Sequence, residues 1–186
     1  MLALAALGTA CDETAKGTPL PGRVVAVSQA KKQASESELC DVLKSPDSAP
    51  TFEYPALRGP EKPATGGHRW INVWATWCPP GVQELPLLGR FRDSLRKAGV
   101  SIDLILLSVD QTPEAVEAFR AGHPEVRGSL QIKDATALEA WLGKVGLDSG
   151  ATLPIHLFVD PRGKVRCART GALRESDLEA VKKLLL

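Results

Sequence analysis

Cysteine and histidine are the residues of this sequence whose side chains most readily do redox or metal chemistry. The chain has 4 cysteines and 3 histidines. No two cysteines have the close spacing of a zinc site, and the histidines (His68, His123 and His156) show no ligand spacing. Four cysteines scattered over 186 residues are also too few for a disulfide scaffold. We therefore expect no metal and no cofactor, and any chemistry should be that of a thiol.

Cys78 is the cysteine with the most informative surroundings. It follows an apolar strand predicted over residues 70–75 and precedes a predicted helix that ends near Gly99. The positive end of a helix dipole favours a thiolate, and the thiolate is the nucleophile in disulfide exchange. Pro79 and Pro80 suit the first helical turn, because N–H groups there have no partner within the helix. Cys78 is thus the candidate reactive thiol.

The elements around Cys78 alternate between strand and helix. A capping box at Ser35 and Glu38 predicts a helix that ends before Pro46, and residues 51–57 suggest an edge strand. Further strands are predicted over residues 102–109, 130–133, 155–160 and 164–170, with helices starting at Pro113, Asp134 and Arg174. The last two strands form a hairpin. The alternation predicts an α/β fold with a mixed central sheet and helices on both faces.

Two motifs resemble those of a known family. The run Trp-Ala-Thr-Trp-Cys-Pro-Pro over residues 74–80, followed by Glu84 and Pro86, resembles the active site of TlpA-like thioredoxins. These are periplasmic or membrane-anchored thiol-disulfide oxidoreductases of bacteria. Residues 153–163 resemble the cis-proline strand and turn of that family, and the resemblance extends over residues 51–186. It implies a thioredoxin fold and a role in cell redox homeostasis through protein disulfides.

The resemblance also implies roles for individual residues. Cys78 corresponds to the attacking cysteine, and Pro154 to the cis-proline that faces it. The backbone of Leu153 would then hold a substrate strand beside the thiol. Glu84 corresponds to an acidic residue that tunes thiol ionisation or relays a proton, although the helix dipole alone also explains a glutamate there. The substrate groove is expected to include Trp77, Pro79 and Pro80.

The sequence departs from the family at Gly81, where the family has its second active-site cysteine. That cysteine normally releases the mixed disulfide within the molecule, with an advantage that a free thiol lacks. Three sources of a resolving thiol are open: Cys167, which would face His156 if Val159 pairs with Lys164; Cys40; and an external thiol such as glutathione. Alternatively Cys40 and Cys167 pair with each other or stay buried. His156 either lines the groove or is simply accommodated in its strand.

A binding module is the rival to an enzyme, because an attacking thiol without a resolver tends to trap its partners. The expected partners are protein thiol or disulfide clients and an external thiol or membrane redox donor. The charges argue against nucleic acid, since 23 basic and 22 acidic residues give a net charge of +1 with no like-charge block.

The N-terminal residues indicate export. Residues 1–11 form an apolar run that ends at small residues before Cys11, which is typical of an export signal. The run also resembles a bacterial lipobox, in which Cys11 would carry a lipid anchor. The match is imperfect, because Leu7 lies four residues before Cys11 and no Lys or Arg precedes the run; otherwise Cys11 is an ordinary thiol. Residues 12–34 are expected to be a tether and residues 35–186 the folded domain, located in the periplasm.

Overall fold

The apolar strand before Cys78 lies at the centre of the fold. The computed structural model describes residues 34–60, 63–148 and 150–185, all within the unit Lys31–Leu186. The strands are β1 (Val42–Leu43), β2 (His68–Trp74), β3 (Ile102–Ser108), β4 (Leu130–Gln131), β5 (Ile155–Val159) and β6 (Val165–Thr170). The helices are α1 (Glu36–Leu39), α2 (Pro79–Lys97), α3 (Pro113–Arg120), α4 (Leu138–Lys144) and α5 (Leu178–Leu184). Short 3-10 turns cover Pro124–Val126, Ala135–Ala137 and Glu175–Asp177.

The six strands form one sheet in the order β1-β6-β5-β2-β3-β4. Strand β2 runs parallel to β3, and β3 runs parallel to β4. The hairpin of β5 and β6 is antiparallel and joins the sheet beside β2. The predicted mixed sheet is therefore confirmed.

Apolar side chains project from both faces of the sheet. Trp70 and Trp74 of β2 pack into the core on one face, whereas Ile71 and Val73 pack into the core on the other. Because alternate residues of a strand point to opposite faces, β2 can bury apolar side chains on both sides only if both faces are covered. Helices α2 and α5 contribute to the first core and α4 to the second. The prediction of helices on both faces is confirmed.

Two local expectations are wrong. Residues 51–57 form no edge strand but make isolated bridges, Thr51 to Lys164 and Leu57 to Ile132. The segment instead covers the second face of the sheet, where Phe52 packs in the core. The register of the hairpin also differs from the one considered, because Val159 pairs with Val165 and a bulge between Phe158 and Val159 then sets Phe158 opposite Cys167.

The N-terminal part of the domain is short but firmly attached. The capping box of Ser35 and Glu38 is present, yet α1 has only 4 residues and ends at Leu39. Strand β1 then pairs with β6 at the edge of the sheet. Residues 1–33, with the predicted export signal, Cys11 and most of the tether, lie outside the described residues. Within the described part of the chain, no helix is long and apolar enough to cross a bilayer.

Candidate active site

Cys78 is the residue that caps the N-terminus of α2. Its N–H donates to Ala75 O at 3.1 Å, and its carbonyl accepts the first helical hydrogen bond, from Val82 N, at 3.1 Å. The residue is 8% exposed, and it is the one free cysteine of the described residues. Pro79 and Pro80 carry no N–H, so the sulfur is held near the positive end of the helix dipole with few direct donors.

A buried aspartate holds the turn between β2 and Cys78. Asp110 accepts hydrogen bonds from Thr76 N at 3.1 Å and from Thr76 Oγ1 at 2.7 Å. Ser108 Oγ also donates to Asp110, at 2.7 Å. Since Asp110 is only 2% exposed, these bonds are protected from competition by water. The carboxylate therefore ties the end of β3 to the turn that carries the thiol.

Replacing Asp110 with alanine is expected to lower the free energy of unfolding by about 3 kcal/mol, because buried donors lose their charged acceptor. Asp134 provides a matched control: it accepts from Thr136 N and Oγ1 in the same way, but it is exposed. These bonds hold the pKa of Asp134 below its usual value. In urea titrations of both variants, Asp134→Ala should lower the free energy of unfolding clearly less than Asp110→Ala. Equal losses would show that burial of Asp110 has no energetic role.

Pro154 and Gly81 bring β5 against the start of α2. The Leu153–Pro154 peptide bond is cis, which is the isomer that the resemblance implied. A Cβ atom placed on Gly81 would lie 3.6 Å from Pro154 Cβ and 3.8 Å from Cys78 Sγ. Gly81 is buried, and its backbone is helical. The first side-chain atom at position 81 would therefore be in van der Waals contact with the Cys78 sulfur.

A groove of about 560 Å³ opens beside Cys78. Its lining is mainly apolar and, among the residues that the structure describes, contains no charged one: Trp77, Cys78, Val109, Gln111, Ala135, Leu138, Ala151, Thr152 and Leu153. Trp77 is 66% exposed, which is unusual for an indole. Of the residues predicted for the groove, Trp77 and Leu153 line it, whereas Pro79 and Pro80 are exposed on the first helical turn outside it.

Glu84 lies about one helical turn after Gly81 in α2 and is 4% exposed. Its Oε1 accepts from Asn72 Nδ2 at 2.9 Å, and its Oε2 accepts from Leu173 N at 2.9 Å. His156 Nε2 lies 3.3 Å from the same Oε2. Glu84 thus belongs to a buried polar cluster beneath the site rather than to the groove. His156 is fully buried, so it does not line the groove either.

The other two described cysteines are joined to each other. Cys40 and Cys167 form a disulfide with a Cα–Cα distance of 5.5 Å. Cys167 faces Phe158, not His156, because Val159 pairs with Val165 and a bulge then shifts β6 by one more residue. Both cysteines pack in the core that contains Trp70, whereas Cys78 packs in the core on the other face. The structure therefore places neither of them as a resolving thiol for Cys78, and it shows the alternative in which they pair.

Asn72 and His156, in the polar cluster beneath the site, could have been recognised from the sequence. They are polar residues that each lie between apolar neighbours within a buried stretch of strand. A buried polar side chain needs a partner, so each could have been predicted to meet another polar group. Among the described residues no cluster of three or more His, Cys, Asp or Glu side chains could hold a metal ion.

Comparisons with curated proteins identify relatives over most of the domain. The thiol-disulfide oxidoreductase ResA of a Bacillus cereus strain is 29% identical over 120 residues, which are 63% of this chain and 64% of that protein. The ResA of Bacillus anthracis is 28% identical over 138 residues, 73% of this chain and 75% of that protein. The thiol:disulfide interchange protein DsbE of Allochromatium vinosum is 30% identical over 131 residues, 67% of this chain and 66% of that protein. The first and third alignments thus span just under two thirds of those relatives. No family model matches the chain.

Solved structures define the fold. A DsbE thiol:disulfide interchange protein from Chlorobium tepidum has a TM-score of 0.55 at 23% identity, covering 77% of this chain and 96% of that one. The thioredoxin domain of a thiol-disulfide oxidoreductase from Bacteroides vulgatus has a TM-score of 0.52 at 16% identity, covering 65% and 81%. The chain has the thioredoxin fold. The curated homologues are the thiol-disulfide oxidoreductases ResA and DsbE.

Proposed function

We propose that this chain is a thiol-disulfide oxidoreductase that reacts through a single nucleophile, Cys78. The observation that carries the proposal is a free cysteine at the N-terminus of α2, beside an open groove and opposite a cis-proline. The homologues are oxidoreductases of this kind, so protein thiols and disulfides are the expected partners.

The reaction is a thiol–disulfide exchange. The Cys78 thiolate attacks one sulfur of a client disulfide, a new S–S bond forms to Cys78, and the client's other sulfur leaves as a thiolate that takes a proton from water. A thiolate of an external donor then attacks the Cys78 sulfur, the mixed disulfide breaks and the client leaves fully reduced. A second donor thiol attacks the donor sulfur, closes the donor disulfide and releases the Cys78 thiolate, so two electrons pass from the two donor thiols to the client disulfide. The backbone of Leu153, next to Pro154, would hold the client strand in line with the sulfur.

The groove favours a client whose cysteine has apolar neighbours. Trp77, Val109, Leu138 and Leu153 offer apolar contacts, and no described lysine, arginine or histidine lines the groove to pair with a carboxylate. Glutathione carries two carboxylates, so its charges would gain nothing here. The lining therefore supports a protein segment rather than glutathione as the preferred reactant.

Gly81 favours a second function, that of a trap that holds clients as mixed disulfides. Gly81 is buried, and Pro154, Cys78 and Trp74 each lie within 4 Å of a Cβ placed there. An external thiol cannot readily reach Cys78 from the side that the family's second cysteine would occupy. Resolution then depends on attack through the groove, and an adduct that fills the groove blocks that route.

Export to an oxidising compartment is part of the proposal. The apolar run over residues 1–8 is typical of an export signal, and Cys11 is its candidate lipidation site. A buried Cys40–Cys167 disulfide is consistent with folding outside the cytoplasm, where disulfides form and persist. We therefore infer a periplasmic location, with a lipid anchor if Cys11 is modified.

The test is adduct formation by the full chain, mapped by mass spectrometry of its peptides. Two mixed-disulfide peptides are offered in limiting amounts, one with leucine and valine beside its cysteine and one with glutamate at the same positions. We expect an adduct at Cys78 with both, formed about tenfold faster with the apolar peptide, since one buried apolar side chain contributes about 1.5 kcal/mol or more. Oxidised glutathione should react as slowly as the acidic peptide.

Cys78→Ser is the matched control. It should form no adduct in the peptide that contains position 78, and it should melt at nearly the same temperature as the wild type. Absence of any adduct at Cys78 in the folded wild-type chain would contradict the proposal. A disulfide between Cys78 and either Cys40 or Cys167 would instead identify an internal resolver, reached by exchange with the existing disulfide.

A further inference from the structure

The side chain of Arg58 joins two loops that flank the active-site groove. Its Nη2 donates one hydrogen bond to Gln111 O at 3.1 Å and another to Lys133 O at 3.0 Å. Gln111 lies in the loop after β3, and Lys133 lies in the loop between β4 and the 3-10 turn Ala135–Ala137. Each terminal nitrogen of a guanidinium carries two hydrogens, so one nitrogen can serve both carbonyls.

Both loops lead into the lining of the groove. Val109 and Gln111 line it from the first loop, and Ala135 and Leu138 line it directly after the second. Arg58 is not among the residues that line the groove, so it can act on a client only through the loops that it joins. Because both carbonyls are bound to the same nitrogen, the separation of the loops is fixed at this point.

The first loop is also held by Gln131 of β4. Gln131 is 7% exposed, and its Nε2 donates to Asp110 O at 2.7 Å and to Thr112 O at 3.0 Å. The carbonyls of residues 110, 111 and 112 therefore all accept hydrogen bonds from side chains of other segments. Gln131 fixes the first loop to β4, whereas Arg58 connects this loop to the second one.

The backbone around Arg58 is itself attached to the sheet. Arg58 N donates to Gln131 O at 2.9 Å, and Lys133 N donates to Ala56 O at 2.7 Å. Between these bonds, Leu57 forms its bridge to Ile132. Residues 56–58 thus pair with residues 131–133 at the β4 edge of the sheet. This pairing gives the half-buried Arg58 side chain a fixed origin, so its position does not depend on a bound client.

We propose that Arg58 is a positioning residue for client recognition, which holds the two loops at a fixed separation and so preforms the apolar groove beside Cys78. The inference rests on the proposed role of Cys78 as the nucleophile and of the groove as the client site. Without the Arg58 donor the loops move independently, and a client must order them as it binds, which weakens its binding. The thiol itself is unchanged.

Arg166 offers a matched control at the opposite edge of the sheet. It is half-buried like Arg58, and its Nε donates to Lys44 O at 2.8 Å, directly after β1. Neither Arg166 nor Lys44 lines the groove. Loss of this arginine should therefore affect stability in a similar way to loss of Arg58, but it should leave client recognition as it is.

The test compares two reactions of Cys78 in the full chain, both followed on the Cys78 peptide well below the unfolding transition. One is adduct formation with the apolar mixed-disulfide peptide, and the other is carbamidomethylation by iodoacetamide, which is too small to need the groove. Arg58→Met keeps an unbranched side chain but loses the donors. We expect its rate constant with the peptide to fall about fivefold and its rate with iodoacetamide to stay at the wild-type level. Arg166→Met should change neither rate.

An unchanged peptide rate in folded Arg58→Met would overturn the inference. An equal fall with iodoacetamide would also overturn it, because the effect would then be on the thiol. A similar loss in Arg166→Met would mean that lower stability is responsible. If Arg58→Met does not fold, Arg58→Gln tests the same step, since its amide is too short to reach both carbonyls. A wild-type Cys78 that forms no adduct with any peptide would contradict the proposed function itself, so the two failures are distinguishable.

Discussion

Replacing Gly81 with cysteine is expected to raise the turnover of a disulfide substrate by about a hundredfold or more. The new thiol would stand beside Cys78 and attack its mixed disulfide from within the molecule. A thiol held in place has an effective concentration of at least millimolar, and far more when well oriented. The gain should appear in the rate of substrate reduction with dithiothreitol as the electron donor.

The structure has room for this side chain. The Cβ of residue 81 would make ordinary contacts with Pro154 Cβ at 3.6 Å and with Cys78 Sγ and Trp74 Cβ, both at 3.8 Å. The backbone of Gly81 lies within α2, where alanine is favoured over glycine by about 0.5–1 kcal/mol and cysteine by a smaller amount. We therefore expect Gly81→Cys to fold at least as well as the wild type.

Gly81→Ala is the matched control, since it adds the same Cβ without a thiol. Its turnover should stay at the wild-type level while its stability rises slightly. A large gain with cysteine alone would indicate that the natural chain is a poor reductase and favour its role as a trap. No gain with cysteine would mean that another thiol already resolves the adduct efficiently, contrary to the proposed importance of Gly81.

Local signals were enough to place the reactive thiol. The second half of β2 is rich in buried apolar residues because both faces of the sheet are covered, and the two prolines after Cys78 suit the first turn of a helix. These features depend on neighbours in sequence, so the strand–cysteine–helix arrangement could be predicted. Pro154 lies far away along the chain and was placed only through the family motif.

The cluster around Glu84 could not be predicted in the same way. Whether Glu84 meets His156 depends on the rotation of α2 and on how far β5 slides along β2, and the order of the elements specifies neither. The pairing of Cys40 with Cys167 likewise depends on the bulge that sets Cys167 opposite Phe158. A shift of one residue would turn Cys167 to the other face of the sheet.

Removal of the Cys40–Cys167 disulfide is expected to lower the free energy of unfolding by about 3–5 kcal/mol. The two cysteines are 127 residues apart, so the bond restricts most of the described chain in the unfolded state. Loop-closure entropy for a separation of this size corresponds to about 4–5 kcal/mol. The measurement is urea unfolding of the Cys40→Ala, Cys167→Ala variant in a Cys78→Ser background, which prevents new pairings with Cys78.

Either single replacement should cause nearly the full loss of stability, because the disulfide needs both sulfurs. Cys40→Ala and Cys167→Ala should each destabilise the chain nearly as much as the double variant. If the two single losses instead add, side-chain packing and not the covalent bond would be responsible.

The same disulfide should have little influence on the thiol. It lies in the core beside Trp70, which is four residues before Trp74, or about 13 Å along β2, and Cys78 packs on the other face. Its loss leaves the segment from Ser35 to Leu43 without a covalent link to β6, so that non-covalent contacts such as the hydrogen bonds from Arg169 and Thr170 must hold it. With Cys78 retained, the double variant should therefore be cut faster by protease in this segment, while Cys78 is carbamidomethylated at the wild-type rate below the unfolding transition. A slower or faster rate at Cys78 would mean that the N-terminal segment is coupled to the active site through β6.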